Sequence, residues 1–224
     1  MNFDIIEKQI EVLATQENKY SRLINANVVP FFEQYYRELI DWNQKINLIS
    51  RKDHDRIVCK HFVESLSILH VAGIKKSARI IDVGTGAGFP GIPIKIIRPD
   101  IDMTLLDSKR NKMIFLGQLI SVLGLSNISL VNERAENIIG ESDYRCRFDI
   151  VIARAVTNLS TLWKWAGILL KENGFLLALK GNNIIDEIRT APDLQESCLQ
   201  VIPVVNQFID EQRELVVVKI DKKS

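Results

Sequence analysis

Residues 78–91 read Ala-Arg-Ile-Ile-Asp-Val-Gly-Thr-Gly-Ala-Gly-Phe-Pro-Gly. The first six form an apolar-leaning, β-branched run of strand length. It stops at glycines in alternate positions, Gly84, Gly86 and Gly88, with Asp82 two residues ahead. Pro90 and Pro93 follow, and proline suits the first turn of a helix, whose N–H groups have no intrahelical partner. The stretch therefore predicts strand, glycine loop, helix. Such a loop brings bare backbone against a ligand, because glycine has no Cβ to hold it away.

The spacing narrows the ligand. A dinucleotide fingerprint wants Gly-x-Gly-x-x-Gly, and Phe89 stands where its third glycine belongs. A phosphate-binding Walker loop ends in Gly-Lys-Ser/Thr, and no such run occurs. Asp-x-Gly-x-Gly-x-Gly instead resembles the first motif of class I S-adenosylmethionine-dependent methyltransferases. Asp107 closes the next apolar run, Met103–Leu106, one strand–helix unit later. An acid there can accept hydrogen bonds from both ribose hydroxyls. The plainer alternative is an ordinary tight turn followed by a helix-capping acid.

From residue 78 the pattern alternates strand and helix, which points to a mostly parallel sheet covered on both faces. Strands are expected at 78–83, 102–107, 128–132, 148–153 and 175–179, the last opened by Gly174, with further apolar runs at 198–205 and 215–220. Helices are expected at 91–97, 109–123, 159–170 and 183–189. The final Glu-Leu-Val-Val-Val-Lys-Ile run suits a last strand inserted into the sheet. Ahead of this lies helical sequence, at 3–17, after Pro30 and at 60–70. Phe32, Tyr35, Tyr36, Leu39 and Ile40 follow helical spacing, a stripe expected to be core rather than a base-stacking platform. The fold class is α/β: a seven-stranded, mostly parallel Rossmann-like sheet, with residues 1–77 a helical extension packed on a methyltransferase domain of residues 78–224. At 224 residues the two are expected to form one structural unit.

Cys59, Cys146 and Cys198 form no Cys-x-x-Cys pair, so free thiols are expected and no metal. Asp4 and Glu7 stand where a signal peptide would be basic, and no apolar run is long enough to span a bilayer; a cytoplasmic protein, expected to be a monomer, follows. Residues 51–112 hold twelve Lys/Arg against seven Asp/Glu, whereas residues 1–50 hold five against seven. That suits either a steering patch for a polyanion or solvated helix faces.

The remaining chemistry is expected at strand ends. Arg134-Ala135-Glu136 forms a loop placed to meet an adenine, with Ala135 offering backbone and Glu136 an acceptor. Arg154 and Lys180 end neighbouring strands, and an arginine is too costly to bury unpaired, so it should emerge into the cleft. After the fourth strand stands Ala153-Arg154-Ala155-Val156 rather than an Asn/Asp-Pro-Pro-aromatic segment, which argues against exocyclic-amine methylation. Cys146 precedes that strand, on the wrong side for a pyrimidine-C5 nucleophile. A ring nitrogen with an unshared pair, such as guanine N7, fits a site with no acid or base assigned.

Nearly the whole chain resembles the RsmG (GidB) family of bacterial 16S rRNA methyltransferases. The likeness runs through Trp42-Asn43, Asn47-Leu48, Lys60-His61-Phe62, Ser65-Leu66, Asp82 to Pro93, Leu105 to Ser108, Arg134 to Glu136, Ala153 to Ala155 and Leu179 to Gly181. It implies methyl transfer from S-adenosylmethionine, leaving S-adenosylhomocysteine, to N7 of guanine 527 in 16S rRNA of the small ribosomal subunit. It further implies that Gly84, Gly86, Phe89, Ala135, Glu136 and Arg154 contact the cofactor, with Asp107 at the ribose, and that Arg51, Lys60 and Lys180 face RNA. Thr85 stands where serine is common and Glu64 where aspartate is common, and neither change removes a backbone contact. Two other classes remain open at this point: a methyltransferase acting on a small molecule or protein, and a ribosome-assembly factor without turnover.

Overall fold

A computed structural model describes residues 3–15, 27–71, 73–181, 184–195, 198–204 and 215–222. Positions 16–17, 183 and 205 of the expected elements lie outside these. Helices α1 (Asp4–Thr15) and α2 (Val29–Asn43) open the chain, followed by a 3₁₀ turn over Arg51–Arg56, a π-helical segment over Ile57–Val63 and α3 (Glu64–Val71). Then come β1 (Arg79–Val83), α4 (Gly91–Ile97), β2 (Asp102–Leu106), α5 (Arg110–Val122) and β3 (Ile128–Val131). The chain continues through α6 (Ala135–Ile138), β4 (Phe148–Arg154), α7 (Leu159–Leu169), β5 (Leu170–Lys180), α8 (Ile184–Arg189), α9 (Pro192–Gln195), β6 (Cys198–Pro203) and β7 (Val216–Asp221).

The seven strands lie in the order β3-β2-β1-β4-β5-β7-β6. The first five are parallel, and β7 enters antiparallel between β5 and β6, as its apolar run suggests. Strand order reverses at β1, so the loop after β1 stands at the switch point, where open α/β sheets bind ligands beyond their carboxyl ends. Alternation along each strand splits the core in two: Ile80, Leu105 and Ile152 belong to one apolar cluster, Ile81, Leu106 and Ala153 to the other.

Three local expectations change. Strand β5 runs Leu170–Lys180 instead of opening at Gly174; the pairing steps from Phe148↔Leu170 to Ile150↔Phe175, so the intervening residues bulge. A Cβ at Gly174 would lie 3.0 Å from the carbonyl oxygens of Asp149 and Lys171, so glycine lets the bulge close. Residues 60–70 are not one regular helix, because the chain is wound wider over Ile57–Val63 before α3. Arg134 to Glu136 is the start of the short helix α6 rather than loop.

The N-terminal elements are continuous with the sheet's core. Phe32, Tyr35, Leu39 and Phe62 are fully buried in the same cluster as Ile92, Leu105 and Phe115. Phe62 meets Phe32 at 5.0 Å and Tyr35 at 5.1 Å between ring centroids. The aromatic stripe of α2 is therefore core, as its spacing implies.

Asp82, wholly buried on β1, closes the glycine loop. Its Oδ2 accepts from Thr85 Oγ1 at 2.6 Å and from Gly91 N at 2.9 Å. Among the described residues its Oδ1 has no hydrogen-bond partner. Burial pushes this carboxyl up to about 7, and Asp107 nearby adds to the effect; the two hydrogen bonds and Arg154 oppose it.

Two outcomes follow from this packing. Phe62→Ala removes a buried aromatic shared by both regions and should cost about 3–5 kcal/mol. Urea unfolding should remain one transition; separate melting of the N-terminal helices would show independent units. For Asp82 the folded state holds a proton between 3.8, the ordinary value, and about 7. Its contribution to stability is therefore complete below the lower value and is lost as pH rises through the upper one. The stability of wild type minus Asp82→Asn should fall across that window by at most about 1.4 kcal/mol per pH unit and level off above it. Denaturation of both proteins at several pH values checks this, and a flat difference contradicts it.

Candidate active site

The carboxyl edge of the sheet holds a cleft of ≈ 370 Å³, lined by Gly84, Asp107, Ala135 and Glu136 together with Val83, Ser108, Lys109, Lys112, Glu133, Arg134, Val156, Thr157 and Trp165. Its volume lies within the ~300–1,000 Å³ usual for small-molecule sites. Gly84 has φ +68°, and a Cβ there would lie 2.7 Å from a Val156 methyl. Glycine avoids both the strain of that φ and the clash with Val156. Val156 follows Ala155, a non-glycine residue held at φ +52°, a conformation that costs energy and clusters at functional sites.

Asp107 forms the wall opposite. Its Oδ2 accepts from Gly86 N at 2.9 Å and its Oδ1 from Lys109 N at 2.8 Å. Asn132 Nδ2 donates to its carbonyl at 2.9 Å. A carboxylate oxygen has about two acceptor sites, so each retains capacity for a further donor. At the far wall Glu133 accepts from Arg134 N at 2.8 Å and Asn137 Nδ2 at 2.7 Å, and these bonds hold its carboxyl below the usual range. They fix the first turn of α6 and thereby the backbone at Ala135.

Gly86, Phe89 and Arg154 sit outside this lining: Gly86 is tied to Asp107 through its N–H, and Phe89 and Arg154 belong to a second group that joins the glycine loop to the N-terminal helices. Phe89 is nearly buried and stacks on Tyr35 at 5.4 Å and on His61 at 4.8 Å. Tyr35 Oη donates to Ala87 O at 2.6 Å, and burial pushes its phenol well above the usual tyrosine range. The Arg154 guanidinium lies 5.8 Å from the Phe89 ring centre, with Nη2 2.8 Å from His61 Nδ1 and 3.5 Å from Glu64 Oε2. The side chain thus emerges from β4 toward the N-terminal unit, where cation and acceptors meet.

Of the three residues assigned to RNA, two are held by acids. Arg51 is exposed at the start of the 3₁₀ turn. Lys60 donates to Asp53 at 2.5 Å. Lys180 donates to Thr157 O at 2.8 Å and pairs with Glu187 at 3.0 Å. Sequence reasoning missed Val156, Thr157 and Trp165 in the cleft and His61, Tyr35 and Glu64 behind the loop. Tyr35 stood in the apolar stripe, Val156 after the fourth strand, and His61 and Glu64 in the segment around Lys60-His61-Phe62, but nothing local indicated that this segment touches Arg154. Among the described residues no cluster of His, Cys, Asp and Glu could hold a metal ion, and no helix is long and apolar enough to cross a membrane.

Comparison with solved structures places the fold. An rRNA methylase from Streptococcus thermophilus superposes with a TM-score of 0.53 at 16% identity, over 79% of this chain and 99% of that one. The precorrin-6y C5,15-methyltransferase from Geobacter metallireducens gives 0.51 at 14% identity, over 80% and 91%. Sequence similarity is closer. A Thermoanaerobacter sp. protein named ribosomal RNA small subunit methyltransferase G is 38% identical over 95% of this chain and 90% of its own. Its namesake from Desulforamulus reducens is 40% identical over 90% and 85%. Residues 29–216 match the model of the GidB family, described as rRNA small subunit methyltransferase G. This chain belongs to the GidB family.

Proposed function

We propose that this protein transfers the methyl group of S-adenosylmethionine to N7 of a guanine, that at position 527, in 16S rRNA of the small ribosomal subunit. Family membership supports the reaction class and the rRNA substrate. The observation that carries the cofactor is the cleft in which the Gly84 backbone faces an Asp107 carboxylate with acceptor capacity left on both oxygens. Those oxygens suit two vicinal ribose hydroxyls, Ala135 and Glu136 suit an adenine, and Gly86 anchors the acid through its N–H. Phe89 and Arg154 serve the amino-acid end. Bound there, S-adenosylmethionine supplies an electrophilic methyl on a sulfonium.

The guanine N7 lone pair forms the new N–C bond as the C–S bond breaks, and no proton has to leave. The site therefore needs no general base; of the acids that line the cleft, Asp107 and Glu133 already accept from backbone N–H groups, and Glu136 is assigned to the adenine. The protein's contribution is alignment and exclusion of water. Arg51, with Lys60 and Lys180 once released from their acidic partners, would meet RNA phosphates.

The deciding assay offers labelled S-adenosylmethionine to small subunits from cells lacking this protein and probes the rRNA for strand scission at 7-methylguanine. Label at one guanine is expected. Cofactor binding without rRNA label would indicate a small-molecule or protein substrate, and absence of cofactor binding would overturn the proposal. Gly84→Ala should abolish cofactor binding. Asp107→Asn should weaken it about 10- to 100-fold, the loss of a hydrogen bond to a charged group. Arg51→Ala should lower the slope of log affinity for rRNA against log salt by about 0.7–0.9, one phosphate contact.

A further inference from the structure

We propose that His61 is a positioning residue: from the N-terminal helical unit it holds the Arg154 guanidinium against the glycine-loop residue Phe89, so that this unit completes the cofactor site. The inference rests on the reading that Phe89 and Arg154 meet the cofactor. His61 and Arg154 are 93 positions apart, yet Nη2 of the arginine lies 2.8 Å from His61 Nδ1. A guanidinium can only donate, so Nδ1 is the acceptor and the neutral ring carries its proton on Nε2. That nitrogen faces Asp53 Oδ2 at 3.7 Å. The same ring stacks on Phe89 with an interplanar angle of 22°. One buried imidazole therefore orients both partners.

The wide π-helical winding of Ile57–Val63 carries His61 to this place, and single π turns recur at functional sites. The sheet alone leaves the direction of the guanidinium open, since β4 ends at Arg154 and Ala155 already turns to the left-handed conformation that sends Val156 into the cleft. Glu64, one helical turn on from His61, adds a carboxylate 3.5 Å from Nη2. Held in this way, the cation stays over the Phe89 ring, where cation and π face attract, and its direction is set before cofactor arrives. His61 touches no reacting atom; it acts through Arg154.

Two substitutions separate positioning from packing. His61→Phe keeps a ring on Phe89 and removes the acceptor. His61→Asn gives up the ring but places an oxygen close to where Nδ1 accepts. Calorimetric titration with S-adenosylhomocysteine should show about tenfold weaker binding for His61→Phe and near wild-type binding for His61→Asn, with methyl-transfer KM for cofactor following the same order. Arg154→Met should weaken binding at least as much as His61→Phe does, and the double variant should be no worse than Arg154→Met, because His61 acts only through Arg154. If His61→Phe does not fold, His61→Asn still decides: near wild-type binding supports the proposal, and a loss equal to that of Arg154→Met overturns it. Wild-type binding in His61→Phe, equal impairment of the Phe and Asn variants, or additive losses in the double variant would overturn the proposal. A wild-type protein that methylates no rRNA yet shows the predicted order of affinities would instead overturn the proposed reaction and leave the positioning role standing.

Discussion

One carboxylate oxygen holds the catalytic end of this fold together. Asp82 Oδ2 takes hydrogen bonds from the hydroxyl of Thr85 and the N–H of Gly91, which fixes both ends of the glycine loop to the strand that launches it. The loop can then turn three times through positive φ, at Gly84, Gly86 and Gly88, without losing its path. A Cβ at Gly91 would lie 2.8 Å from that same oxygen, so the helix α4 starts as close to the sheet as the backbone permits. Burying an acid is costly, and here the cost supports the loop that forms one side of the cleft.

The loop is gripped from its other side by residues that precede the sheet. Tyr35 donates to the carbonyl of Ala87, and its ring and that of His61 both stack on Phe89. A Cβ at Gly88 would come within 2.7 Å of the Tyr35 hydroxyl, so the third glycine exists for this contact. The helical extension is therefore more than a cover for one face of the sheet. It shapes the loop, and through His61 it meets the arginine at the end of β4.

Much of this is legible in the sequence because it depends on local pattern. Glycines in alternate positions after a β-branched run, an acid closing the next strand, and alternation of strand and helix each follow from short-range rules. Asp107, Gly84, Ala135 and Glu136 can be brought to one cleft on that basis. What stays hidden depends on distant contacts. The end of a strand suggests that Arg154 emerges into the cleft; it turns toward His61 because an acceptor and a carboxylate wait there. Lys60 and Lys180 look like free cations in the sequence, and acids that lie seven positions away in each case hold them. The bulge in β5 and the widened winding at 57–63 leave no periodic signature, since each trades regular hydrogen bonding for a contact that the sequence does not display.

On this reading cofactor, glycine loop and N-terminal unit form one mechanical assembly. Amide hydrogen exchange with and without S-adenosylhomocysteine tests it most directly. Slowed exchange is expected over residues 84–91 and 107–109, and also over 57–63, which do not line the cleft. Protection confined to the cleft, with 57–63 exchanging as in the free protein, would contradict it.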